Sequence, residues 1–328
     1  MTYDLYFCCC TPEGGILHAV TDGRASLVRG DLFGCDRPMY AVLSEGRLYS
    51  LLRAPFADGT GGLVSQPLLP DGSLGETDAP RRTEGVCPCH LTVWQNAVFC
   101  ANYLSGSISR IGAEGTAVAR HEGKGVHPTR QEAPHTHFVT PSPDGRSLLA
   151  VDLGIDRIVI YDRALQRIGE IALPGGFGPR HLVFSPEGVL FCVGELASAI
   201  AAFEPCGTGY RLAAITSILP DGFTGESTAA AIRYRDGLIY ASNRGHDSIA
   251  CLRYEGGELR LLSLTPCGGR SPRDFDFAGD LLFCTNESSD SITVFSVAGE
   301  RLTPLPALTL SAPHPLCVTV QPRKIARA

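Results

Sequence analysis

"HFVTPSPDGRSLLAVDLGIDRIVIYD" (His137–Asp162) holds three short apolar runs separated by two polar turns. The runs are rich in Val, Ile, Leu and Tyr, residues that fit a pleated, half-buried surface. Each is too short for a useful helix. The "PDG" between the first two suits a tight reversal, because Pro presets φ and Gly accepts a positive one. The stretch therefore predicts successive antiparallel strands.

Working outward, the pattern recurs. "HLVFSPEGVLFCVGELAS" (His181–Ser198) repeats it with "PEG", and "AIRYRDGLIYASNRGHDSIACLRY" (Ala231–Tyr254) and "RDFDFAGDLLFCTNESSDSITVFSV" (Arg273–Val297) are further copies. Each copy has one small residue in its second strand: Cys8, Ser50, Cys100, Ala150, Cys192, Ala241 and Cys284. Their spacings are 42, 50, 50, 42, 49 and 43 residues, which average near the length of one propeller blade. Four of the seven positions are Cys, used here as a small buried hydrophobe rather than a catalytic thiol. The chain begins inside a second strand, "YDLYFCCC" (Tyr3–Cys10), and ends on a first strand, "HPLCVTVQP" (His314–Pro322). Pairing these would complete one blade and remove a free sheet edge. The reading is all-β, a single seven-bladed β-propeller over residues 1–328, closed by its N- and C-terminal strands.

Composition narrows the partners. Of 328 residues, 44% are hydrophobic and 19% charged, enough for a sizeable core and unlike a disordered chain. The net charge of −6 and the lack of a basic block argue against nucleic acid. No apolar run reaches membrane-span length, and the N-terminus does not read as a signal peptide. The 13 cysteines are odd in number and lack C-x-x-C pairs, which favours reduced thiols in a cytoplasmic protein over disulfides or zinc. No metal and no cofactor is expected. The expected state is a monomer or weak homo-oligomer.

Polar residues gather where strands begin and end. "HPTRQEAPHTH" (His127–His137) leads into the fourth unit, and its His135 and His137 are two apart, so an extended chain points them to opposite faces. "GPRH" (Gly178–His181) lies upstream of Glu195, so Arg180 and Glu195 are placed at one channel mouth. Arg244 lies in "SNRGHDS" and Arg273 in "SPRDF", where Arg273 is adjacent to Asp274 and suited to pair with it. Asn102, Asp152, Asn243 and Asn286 end second strands and read as turn caps, with Glu195 taken as the acid in that same place.

Together, "HPTRQEAPHTH", "VDLGIDRIVIY", "GPRHLVFSPEG", "SNRGHDSIA" and "SPRDF" resemble the seven-bladed propeller lactonase family, which includes propeller-type 6-phosphogluconolactonases and carboxy-muconate lactonising enzymes. The match runs in order from about Gly125 to Val297. The second unit, "LYSLLRAPFADGTGGLVS" (Leu48–Ser65), has a Gly-rich turn with little matching polarity. The resemblance implies a metal-independent site at the channel mouth, with His135, Arg180, Glu195 and Arg244 catalytic. Arg130, Gln131, Glu132, His137, His181 and Arg273 would flank it and hold substrate. The expected reaction is direct water attack on a small anionic lactone, since no G-x-S-x-G elbow is present. Glu195 or His135 would be the base, Arg180 the oxyanion partner and Arg244 the anchor for phosphate or carboxylate. The leading substrate is 6-phosphogluconolactone of the oxidative pentose phosphate pathway. Another carboxylated or sugar lactone, acted on by a lactonase or lactonising enzyme, is the alternative. A non-catalytic scaffold for protein partners is the reading of a different class, since fold alone does not fix function.

Overall fold

The computed structural model describes residues 1–207 and 209–323. Seven antiparallel sheets follow one another around a ring. Numbered by their small positions, blade 2 begins at Pro38–Ser44, blade 3 at Pro88–Trp94, blade 4 at Thr136–Pro141 and blade 5 at Pro179–Phe184. Blade 6 begins at Thr228–Arg235 and blade 7 at Pro272–Ala278. Blade 1 closes the ring: its first strand is Pro315–Pro322, which pairs with Tyr3–Cys9. The expected closure is borne out. Among the described residues the only helices are three single 3-10 turns, Leu153–Ile155, Glu287–Ser289 and Pro306–Leu308. None is long and apolar enough to cross a membrane.

Each first strand packs against the first strands of both neighbours, so these strands surround the central channel. The apolar side chains form seven clusters, one between each pair of adjacent blades. All seven small positions are buried. They sit on second strands, near the axis, where blades converge and leave little room for a side chain.

One irregularity repeats in every blade. Near the start of each first strand the register slips by one residue against the second strand. The extra residue is Met39, Cys89, His137, Arg180, Ala230, Arg273 or Leu316. Such a bulge leaves one residue outside the ladder and re-aims its side chain. In five blades it follows a proline (Pro38, Pro88, Pro179, Pro272, Pro315) that opens the strand, where the missing N–H does no harm. A second ring comes from the residue three beyond each small position: Thr11, Arg53, Tyr103, Leu153, Glu195, Arg244 and Glu287.

Candidate active site

The two rings meet at one mouth of the channel and enclose a cavity of about 400 Å³. Ten of its fourteen lining residues belong to them. A larger hollow near Leu43, Leu69 and Arg323 gathers fewer ionisable groups, and its Arg323 is bound to Asp4 at 2.7 Å.

Glu195 is the centre of the mouth. Its Oε2 lies 3.0 Å from Arg180 Nε and 3.0 Å from Arg244 Nη2, and its Oε1 accepts from Arg130 Nη2 at 2.5 Å. Its backbone is sewn between two blades: its N–H donates to Gly178 O at 2.7 Å, and its carbonyl accepts from Ala229 N at 3.1 Å. Gly178 has φ +59°, and a Cβ there would come within 2.4 Å of Leu196 Cγ. The glycine of "GPRH" thus permits the approach that sets Arg180 against Glu195. Arg180 also donates to Ala230 O at 2.6 Å.

Charge at the mouth is unbalanced. Four guanidiniums (Arg53, Arg130, Arg244, Arg273) line the cavity with two carboxylates, Glu195 and Glu287, and a fifth, Arg180, is buried beneath it against Glu195. Burial alone would raise the Glu195 carboxyl, but Arg244, Arg180, His137 and Arg130 together hold it far below its usual range. Arg180 and Arg244 are instead both lowered, first by burial: Arg180 falls to about 9, with Arg244 its main repulsive neighbour, and Arg244 is raised by Glu195 but repelled by Arg273. The cause common to both is burial, and Glu195 opposes it in each case. The buried Nε of Arg244 has no hydrogen-bond partner, and that of Arg180 is near Glu195 without its N–H being aimed at it.

The histidines divide differently from expectation. His137, the bulge residue of blade 4, lines the cavity; His135 does not. His135 stacks on Tyr103 at 4.6 Å between ring centroids. Its Nδ1 faces Tyr103 O and its Nε2 faces Glu132, each at 3.1 Å. Both ring nitrogens therefore face acceptors within the protein, and neither is directed at the cavity. Its influence passes through Tyr103, whose hydroxyl accepts from Arg130 at 3.3 Å. His137 is buried, its Nδ1 has no partner, and burial followed by the Arg180 charge pushes it well below 6.5. It is a neutral imidazole at neutral pH.

The remaining expected residues fall into place around these. Gln131 is a peg for its loop: Oε1 accepts from Val126 and His127, and Nε2 donates to Leu153 O at 2.8 Å. Glu132 is half exposed outside the cavity. His181 lies one layer down, 5.4 Å from His137 between ring centroids, and faces Arg180 at 3.2 Å. Arg273 lines the cavity but pairs with Glu287 at 3.0 Å, not with Asp274, which binds Arg233 at 2.8 Å. Arg273 is the bulge residue, outside the ladder, whereas Asp274 pairs with Thr285, which separates the two side chains. Arg244 lies 3.0 Å from Glu195 and donates to Ala229 O at 3.1 Å.

Glu195 is also one residue beyond the place assigned to it. Gly194 pairs with Pro179 as Asn102 pairs with Pro88 and Asn286 with Pro272. The asparagines and Asp152 tie turns and neighbouring strands, as with Asn102 to Ser109 and Asp152 to Gly154 N. Arg53, Tyr103 and Glu287 were missed. They share Glu195's phase in the repeat, which is the signal that finds them. Among the described residues no three His, Cys, Asp or Glu side chains are grouped to hold a metal.

The sequence profile described as "Lactonase, 7-bladed beta-propeller" matches residues 4–320. The chain belongs to the seven-bladed β-propeller lactonase family. Within it, the chain is 35% identical over 308 residues to the 6-phosphogluconolactonase of Bacillus subtilis strain 168, covering 86% of each. The fold is also shared with a solved Lactobacillus plantarum protein (TM-score 0.88, 28% identity, 98% of this chain and 100% of that one). The periplasmic gluconolactonase of Pseudomonas aeruginosa superposes with TM-score 0.89 at 25% identity, covering 99% of this chain and 100% of that one. Membership brings a lactone-hydrolysing enzyme with it as the chain's class, in agreement with the motifs.

Proposed function

We propose that this propeller lactonase hydrolyses a phosphorylated sugar lactone, 6-phosphogluconolactone first of all, at the Glu195 mouth. The observation that carries the reading is the excess of guanidinium over carboxylate in one cavity. The similarity to the Bacillus 6-phosphogluconolactonase supports it. The thirteen free cysteines suit a reducing compartment, and the reading assigns the reaction to the cytoplasm.

In this reading His137 is the base. It is unprotonated at neutral pH and lines the cavity, and among the described residues its Nε2 has no hydrogen-bond partner, whereas Nδ1 is buried. It takes a proton from water as the oxygen attacks the lactone carbonyl. The oxyanion that forms is held by Arg180 and Arg244, preset there by Glu195. Glu195 itself is too firmly ionised to accept a proton well; its charge favours the imidazolium that forms on His137. That imidazolium returns its proton to the ring oxygen as the carbon–oxygen bond breaks. The product is the open hydroxy acid, which ionises in water.

The test measures hydrolysis of 6-phosphogluconolactone, gluconolactone and a carboxylated lactone, each with and without a chelator. The expected result is a kcat/KM at least about tenfold higher for the phosphorylated substrate, the scale of one charged contact. No acceleration of any of the three over the spontaneous rate would sink the reading.

A further inference from the structure

We propose that Arg53 binds the phosphate of the substrate and sets the choice between phosphorylated and unphosphorylated sugar lactones. The proposal rests on the lactonase reading above and adds the residue that carries its specificity. Of the five guanidiniums at or beneath the mouth, four are engaged. Arg130, Arg180 and Arg244 bind Glu195, and Arg273 binds Glu287. Among the described residues, the Arg53 side chain makes no ion pair and no hydrogen bond with the protein, although it lines the same cavity. Its backbone is fixed just past the strand Arg47–Leu52, where its N–H donates to Arg37 O at 3.1 Å. An anchored stem with a free guanidinium is suited to a dianion, which offers the paired acceptor oxygens that a guanidinium matches.

Its place in the ring supports the assignment. Arg53 has the same repeat phase as Glu195, but in blade 2 rather than blade 5. Three blades apart is as far as a ring of seven allows. If the lactone carbonyl sits between His137 and Arg180, the opposite wall is what remains for the rest of the substrate. In a 6-phosphorylated sugar lactone the phosphorus is three bonds outside the ring, on the carbon chain that leaves it. Among the described residues, Arg53 is the one unengaged arginine on that opposite wall. An exposed arginine with no cavity beside it would be a solubilising residue only; here the surplus charge of the cavity supplies the reason for a ligand.

Arg53→Met keeps the apolar stem and removes the charge; Arg53→Lys keeps the charge without the planar fork. Because the side chain makes no hydrogen bond or ion pair among the described residues, both variants should melt close to the wild type. The ratio of kcat/KM for 6-phosphogluconolactone over gluconolactone should fall roughly tenfold to a hundredfold in Arg53→Met, carried by KM, with partial recovery in Arg53→Lys. Calorimetry with the product 6-phosphogluconate should show the same loss of affinity. An unaltered ratio in an enzyme that does hydrolyse the phosphorylated lactone overturns the proposal. So does an equal fall in kcat on both substrates, which would place Arg53 at the reacting carbon instead. If the wild type hydrolyses no lactone, the functional reading fails separately. Calorimetry then still decides Arg53: 6-phosphogluconate binding that is lost in Arg53→Met supports the phosphate site, and equal binding overturns it.

Discussion

Two charge clusters lie along the same channel with opposite balances. At the mouth, four guanidiniums line an open cavity with two carboxylates, and Arg180 stands beneath against Glu195. One layer down, Arg233 is held by Asp274 at 2.8 Å and Asp276 at 3.7 Å, one cation between two acids. Asp274 also accepts from Val318 N at 3.2 Å, so the lower cluster ties blades 6, 7 and 1 together. Between the clusters the channel is closed by Tyr40, His90, Phe138 and His181, with ring centroids 3.9 to 6.4 Å apart and a void of only about 10 Å³. That is room for no more than one water. Ion pairs occur in both places, so their presence does not mark the site. What differs is satisfaction. The lower cluster has its partners inside the protein, whereas the upper one is short of anions and has space to receive one.

The largest effect that tests this contrast is at Glu195. Glu195→Gln leaves Arg180 and Arg244 buried without their counter-charge. Removing one member of a buried pair costs about 3–5 kcal/mol, so the melting temperature should drop along with turnover. We expect kcat/KM to fall by about a thousandfold or more, the upper range for a group that organises proton transfer and oxyanion binding. The acid side gives the sign. The folded carboxyl titrates below its ordinary 4.5, so its stabilisation is complete above that value and is lost as pH falls beneath it. Wild type should therefore lose stability on acidification below about 4.5, and Glu195→Gln should lack that component. Full activity in the Gln variant would remove Glu195 from the site.

The two histidines come next. His137→Ala should lower kcat by about a hundredfold to ten-thousandfold, the span of a general base. His135→Ala should lower it less than about tenfold, since His135 acts only through Tyr103 and Arg130. A histidine depressed below 6.5 keeps its basic form in mild acid, so the acidic limb of kcat/KM should lie below pH 6.5. The reverse order of the two variants would return the base to His135.

At the lower cluster the effects should separate. Asp274→Asn should cost stability, again by about 3–5 kcal/mol for a broken buried pair, while kcat/KM of the folded protein stays within a few-fold. A loss of turnover with unchanged stability would mean that both clusters belong to one site.

Much of this was legible in the sequence, and the part that was not has a specific cause. The blade count, the closure by "HPLCVTVQP" and the buried cysteines follow from a repeat that can be counted. The gathering of Arg130, Arg180, Glu195 and Arg244 follows from motifs at strand ends. The choice between His135 and His137 does not, because simple alternation assumes an unbroken ladder and the bulge at His137 breaks it. The same bulge recurs at Arg180 and Arg273, yet nothing in one strand's pattern reveals a slip against its partner. Arg53 was in view within "LYSLLRAPFADGTGGLVS", a unit that looked poor in polarity. Only counting three residues on from each small position puts it in the ring with Glu195.

The smallest effect concerns the thiols, and it tests the framework that carries both clusters. Cys206 is exposed, Cys35 and Cys87 are half-buried, and the other ten cysteines are buried. Burial raises the Cys35 thiol to about 12, with Asp36 adding to it, and pushes Cys8, Cys89 and Cys284 well above 9.0. The thiolate is the reactive form, so these groups should be nearly inert in the native state. An aromatic disulfide reagent near neutral pH should titrate one thiol quickly, and Cys206→Ser should abolish that phase. Cys87 should follow slowly, and because it lines the cavity, its modification should inhibit turnover while that of Cys206 does not. Rapid reaction of many thiols would mean that the spaces between blades are open to solvent. In that case the buried counter-charges at the mouth could not be as strongly coupled as their separations imply.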